Sequence, residues 1–289
     1  MVKRMFRHLM VTVWLLTAAT GCSRVAVLNT VMPHDDGGER VAEAVAYGEG
    51  PRRTLDIYAP EDGAPPHPVV VFVYGGGWDS GHRGAYSFVG RALAARGFVT
   101  VIPDYRLVPE VRYPAFVADS AAAVRWTAAN IAEHGGDPAR IGVAGHSAGA
   151  YNAIMLAVAP RYTEGPDALP IRAAAGLSGP YAFTPFDDPV TRRAFKDVTD
   201  PAATQPARIV TAAGPPLFLA TGTADATVDP GNTEALAEAA RTRGREAAVR
   251  RYAGADHADT LIALGRWFRG DLPVLGEMTA FLRRRLGEG

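Results

Sequence analysis

The 289-residue sequence holds a single cysteine, Cys22, so no disulfide can form within the chain. It has no net charge: 30 basic side chains balance 30 acidic ones, with no long block of either sign. The basic patch that accompanies nucleic-acid binding is therefore not indicated. The apolar stretch "LMVTVWLLTAAT", residues 9–20, is shorter than the roughly 20 residues a membrane-spanning helix needs. Internal repeats and low-complexity tracts are absent, and the seven histidines show no metal-ligand spacing.

What remains is the composition of an ordinary globular protein, 48% hydrophobic and 21% charged. The length allows one large domain or two small ones, with a substantial core. The N-terminus reads differently from the rest. A basic start, "MVKRMFRH", leads into the apolar stretch and then into "AATGC", which has the layout of an export signal. The last residues resemble the lipobox of bacterial lipoproteins, although Ala19 stands where such boxes most often carry Leu. That resemblance implies cleavage before Cys22, lipidation of Cys22, and an exported chain anchored to a membrane of the cell envelope. Residues 1–21 are thus expected to be a leader, 22–44 a loosely ordered tether, and 45–289 the folded domain.

Within the domain, "VAEAVAYG" and "RTLDIYAP" read as two strands joined by a turn. Six further short apolar segments follow: "VVVFVYG", "FVTVIPDY", "RIGVAGHS", "RAAAGLSG", "PLFLATG" and "EAAVRRYAG". Apolar on both faces and mostly separated by helical stretches, they predict an α/β fold with a largely parallel sheet. Helices are expected over 86–95, 115–134, 148–158, 232–243 and 276–286. The clearest is 115–134, where Val117, Ala121, Val124, Ala128 and Ile131 form one stripe before "GGDP" ends it. Residues 180–206, rich in Pro, Asp and Phe, break the rhythm and are expected either as an insertion over a site or as a surface loop.

"GHSAG", residues 145–149, follows a strand and precedes a helix. That context, with small residues flanking Ser147, is what a nucleophile elbow requires. A serine hydroxyl needs a base, and of the seven histidines only His257 follows Ser147 in the chain. The acid that orients the base is expected between them. Asp225, at the exit of the strand "PLFLATG", is favoured on position, with Asp229 and Asp256 as competitors. An oxyanion would need N–H donors. The N–H of Ala148, just after the serine, is one candidate, and the backbone of Gly76 and Gly77 in "YGGGW" supplies the others.

Over residues 45–286 the chain resembles an α/β-hydrolase of the esterase/lipase kind. It is similar to the hormone-sensitive-lipase-like and carboxylesterase branches and to bacterial feruloyl and acetyl-xylan esterase-like domains. The similarity rests on "YGGGW", "DYRLVPEVRYPAFVADSAAAVRW", "GGDPARIGVAGHSAGA", "GTADATV" and "GADHADT". One departure is Tyr74, where the family's HGGG loop begins with histidine. Arylformamidases and prenylcysteine methylesterase-like enzymes share much of the pattern. The resemblance implies serine-dependent hydrolysis of short-chain or aromatic carboxylic esters through an acyl-enzyme, with no metal or cofactor. Amide hydrolysis is the alternative, and a non-catalytic binding protein on the same fold is a further one. Asp104, Arg106 and Asp119 match family positions that read as architectural. Trp78, Phe183, Phe186 and Phe195 are read either as pocket aromatics or as plain packing residues.

Overall fold

A computed structural model describes residues 24–287. Cys22 and the leader lie outside the described residues. Eight strands form one sheet: β1 (Gly38–Ala46), β2 (Thr54–Pro60), β3 (His67–Val73), β4 (Val99–Pro103), β5 (Gly136–His146), β6 (Ile171–Leu177), β7 (Leu217–Gly222) and β8 (Ala247–Tyr252). Their spatial order is β1-β2-β4-β3-β5-β6-β7-β8. β1 and β2 pair antiparallel, as do β2 and β4, and all other neighbours run parallel. This is the α/β-hydrolase arrangement that the sequence implies.

The helices of eight or more residues are α1 (Arg24–Val31), α2 (Ser87–Ala94), α3 (Ala115–Asn130), α4 (Ala148–Val158), α5 (Gly231–Thr242) and α6 (Val274–Leu286). They cover both faces of the sheet. Gly142 on β5 looks toward Leu282 and Leu286 of α6, while Gly176 on β6 looks toward Ile154 of α4. Pairing of Gly145 with Gly176 puts those two on one face, three residues along from Gly142 and hence on the other. The central strands are therefore buried on both sides, which is why Val69 to Val73 are all fully buried. Helix α3 closes with a 3₁₀ turn over Ile131–His134, and Gly135 takes the left-handed conformation (φ 77°) that ends it.

The N-terminal arm differs from expectation. Residues 22–44 read as a tether, yet α1 and much of β1 lie within them. "RVAVLNTV" carries apolar residues all round, so it shows no stripe that would betray a helix. Tertiary contacts hold it instead. The Asn29 side chain accepts from Phe88 N–H (3.0 Å) and the Ser87 hydroxyl (2.8 Å), and donates to the Gly84 carbonyl (3.1 Å). Met32, just beyond the helix, is buried against Gly265.

Residues 180–206 hold a short helical turn, Pro189–Ala194, opened by the Asp188 carboxylate capping the N–H groups of Val190 and Thr191. Phe183, Phe186 and Phe195 pack on one another, and Phe183, Phe195 and Tyr151 pack around Trp78. Phe195 meets Trp78 edge-on at 5.2 Å and stacks on Phe186 at 5.0 Å. These aromatics are packing residues beside the glycine loop. None of them lines the main cleft.

Candidate active site

The end of β5 turns sharply into α4 at Ser147, which adopts φ 56° and ψ −125°. This is a costly conformation for a residue with a Cβ and is held by its surroundings. A Cβ at Gly145 would overlap the Gly149 carbonyl, and one at Gly149 would overlap the carbonyl oxygens of Val73 and Tyr74. Only glycine lets the turn close so tightly against β3. The Ser147 N–H donates to the Leu177 carbonyl at 2.9 Å, fixing the elbow to β6.

Three side chains from three strand exits meet there. Ser147 Oγ lies 2.9 Å from His257 Nε2, and His257 Nδ1 lies 2.8 Å from Asp225 Oδ2. With Nδ1–H donating to the carboxylate, Nε2 is left to accept the serine proton. The other Asp225 oxygen accepts from the N–H groups of Thr227 and Val228 at 2.9 and 2.8 Å. Burial pushes the Asp225 carboxyl up, but the hydrogen bond from His257 and those two N–H groups outweigh it, and its pKa is lowered. Among the competing acids, Asp229 accepts from Gly231 N–H, and Asp256 accepts from the N–H groups of Ala258 and Asp259. Both carboxylates serve their own turns.

Opposite the serine, the β3 exit brings the glycine loop into contact with the elbow. A Cβ at Gly75 would come within 3.0 Å of Ser147 Cβ. Gly76 and Gly77 both carry positive φ, 131° and 60°, and a Cβ at Gly76 would overlap the Ser80 carbonyl. The loop is clamped from behind. The Tyr105 hydroxyl donates to the Tyr74 carbonyl (3.0 Å), that of Tyr86 to the Gly75 carbonyl (3.3 Å), and Arg52 to the Gly81 carbonyl (2.8 Å). Ala148 opens α4, where the first N–H groups of a helix have no partner within it. The loop and the helix start thus both border Ser147.

Tyr74 points away from the serine. Its hydroxyl donates to Asp104 Oδ1 (2.8 Å), accepts from Arg52 (2.8 Å), and its ring stacks between Tyr86 and Tyr105. Asp104 also holds Arg83, while Arg106 grips Asp119 with two parallel hydrogen bonds of 2.8 Å. These residues brace the scaffold.

His146 was legible as part of "GHSAG", but nothing in the sequence indicated its role. Its Nε2–H donates to the backbone carbonyl of His257 at 2.9 Å, tying the elbow to the histidine loop. Burial, then repulsion from His257, lowers its pKa to about 3. The cleft beside the serine, about 680 Å³, was not foreseen either. Val25, Leu28 and Val31 of α1 line it together with Leu261, Ile262, Trp267 and Phe268.

A model of the BD-FAE family matches residues 55–240, a span that holds the glycine loop, the elbow and Asp225. The chain belongs to the BD-FAE family. Among similar proteins is a probable isoprenylcysteine alpha-carbonyl methylesterase of Oryza sativa subsp. japonica. It is 32% identical over 251 residues, which is 77% of this chain and 58% of that protein. The carboxylesterase NlhH of Mycobacterium tuberculosis is 48% identical over 100 residues, 34% of this chain and 31% of that one. The chain spans roughly half the length of the plant methylesterases it matches, 58% and 52% in two of them. Among solved structures, an esterase of the Planctomycetes species Thermogutta terrifontis superimposes with a TM-score of 0.69 at 27% identity. The match covers 86% of this chain and 92% of that one. A truncated carbohydrate esterase from gut microbiota gives a TM-score of 0.74, covering 88% of this chain and 99% of that one. At 19% identity that likeness speaks for the fold alone.

Proposed function

We propose that this protein is a serine carboxylesterase acting on short-chain acyl or aromatic esters. The observation that carries the reading is the unbroken chain from Asp225 through His257 to Ser147, 2.8 and 2.9 Å long, facing the glycine loop. The carboxylesterase and methylesterase names of its relatives support the same reaction class.

The steps follow from the geometry. His257 Nε2 takes the Ser147 proton as Oγ attacks the ester carbonyl, and the carbonyl electrons move onto oxygen. N–H groups of Gly76, Gly77 and Ala148 meet that oxyanion, and ionised Asp225 steadies the imidazolium. The C–O bond to the alcohol then breaks, with the His257 proton passing to the leaving oxygen. Water, deprotonated by His257, attacks the acyl-enzyme; the acid is released and Ser147 regains its proton.

The test is hydrolysis of p-nitrophenyl acetate, butyrate and octanoate by wild type and by Ser147→Ala. The expected result is activity that falls on the order of 10⁴–10⁶-fold in the variant. Undiminished activity in the variant sinks Ser147 as nucleophile. A wild type inactive on esters but active on anilides or formanilides favours the amide-hydrolase alternative, and one inactive on both favours a binding role.

The leader is proposed to export the chain, with Cys22 lipidated and holding it at a membrane. Labelling cells with an alkyne fatty acid checks this: label and membrane association are expected in wild type and lost in Cys22→Ser.

A further inference from the structure

The cleft is lopsided about the serine. On one side Gly77 is closed in by Val190, whose Cγ1 would lie 3.0 Å from a Cβ placed there, and the Trp78 aromatic cluster stands behind. On the other side the open volume runs from the His257 loop, past Ala258, Leu261 and Ile262, to α1. Val25, Leu28 and Val31 recur every third residue and share one face of that helix, which they turn to the cleft. At about 680 Å³ the space is of the size that holds a whole drug-sized ligand, far more than a methyl or ethyl group needs.

The two sides differ chemically as well. His257 must hand its proton to the leaving oxygen, so the alcohol portion of an ester lies toward His257. We propose that α1 and the Leu261–Phe268 segment form the alcohol-side subsite, taking esters that join a short acyl group to a large apolar alcohol. This rests on the serine esterase reading above. It makes Leu28, midway along the lining face of α1, a specificity-determining residue.

Transfer of each further methylene of the alcohol from water to this wall should raise kcat/KM about fourfold until the cleft is filled. Two ratios test it: octyl acetate over ethyl acetate for the alcohol side, and p-nitrophenyl octanoate over p-nitrophenyl acetate for the acyl side. In wild type the alcohol ratio is expected to exceed about 30. Leu28→Trp, which narrows the cleft at the α1 wall, should lower it at least tenfold, and Leu28→Ala, which thins the wall, severalfold. The acyl ratio should move less than about twofold in both. Thr30→Ala, on the exposed side of α1, serves as the unaffected control. An acyl ratio that falls while the alcohol ratio holds overturns the assignment, as does a pair of ratios unmoved in both Leu28 variants. If wild type hydrolyses none of the four esters, the esterase reading fails, and 1-octanol in a thermal melt then tests the subsite separately. Stabilisation of wild type that is lost in Leu28→Trp supports the subsite, and no stabilisation overturns it.

Discussion

Two walls of one cleft are built on opposite principles. The wall carrying Gly75, Gly76, Gly77 and the elbow is backbone against backbone, so close that single methyl groups would collide with carbonyl oxygens. The wall made by α1 is side chains, half-buried, with Val31 45% and Trp267 39% exposed at its rim. In the proposed mechanism the first wall meets an oxyanion, which demands donors fixed to a few tenths of an ångström, and main chain locked by neighbouring main chain is suited to that. Holding an apolar group demands only area and approximate shape, and a helix attached by Asn29 and Met32 is enough for that.

That contrast can be broken first at the chemical wall. Asp225→Asn keeps the shape of the site but lets His257 adopt the wrong tautomer, and kcat is expected to fall about 10⁴-fold with the melting temperature nearly unchanged. A loss below tenfold would mean that another acid orients the histidine. Next comes Gly149→Ala, whose new methyl would overlap the Val73 and Tyr74 carbonyls. It should cost about 3 kcal/mol or more, lowering the melting temperature by roughly 6–12 °C. An equally stable Gly149→Ala protein would show that the backbone wall can yield.

A last expected effect, spread over several pH units, concerns the tie between the elbow and the histidine loop. The pKa of His146 is lowered to about 3 when folded, against 6.5 for an unperturbed histidine. Between those values the unfolded chain binds a proton that the folded chain refuses. Stability therefore rises with pH across this window and is lost on acidification, by up to about 1.4 kcal/mol per pH unit from this group. Urea unfolding of His146→Gln at pH 4 to 7 should show a correspondingly shallower slope. Identical slopes would mean that His146 is protonated in place or screened.

The contrast also explains how much could be read in advance. "GHSAG" and "YGGGW" each lie within a few residues of chain and each follows a strand, so local pattern and strand order were sufficient to expect Ser147, Gly76 and Gly77 in one place. His257 followed by elimination. Asp225 stood among three candidates, because position in a loop does not say which carboxylate turns inward; the strand exit of β7 and two backbone N–H groups decide that. The tie made by His146 was hidden because its partner is a backbone carbonyl 111 residues further along the chain.

By itself, then, the sequence determined the alternating strands and helices, the parallel sheet and the order of the reactive residues. These follow from periodicity and from glycine and serine at turns, which act over a few neighbours. The tertiary structure alone decided that residues 24–31 are a helix rather than a tether, and that this helix walls the cleft with residues 261–268 from the other end of the chain. An octapeptide with apolar residues on every face of the helix carries little local instruction. Its helix exists because Asn29 caps the start of α2, Met32 fills the space at Gly265, and together they give those eight residues a surface to fold against.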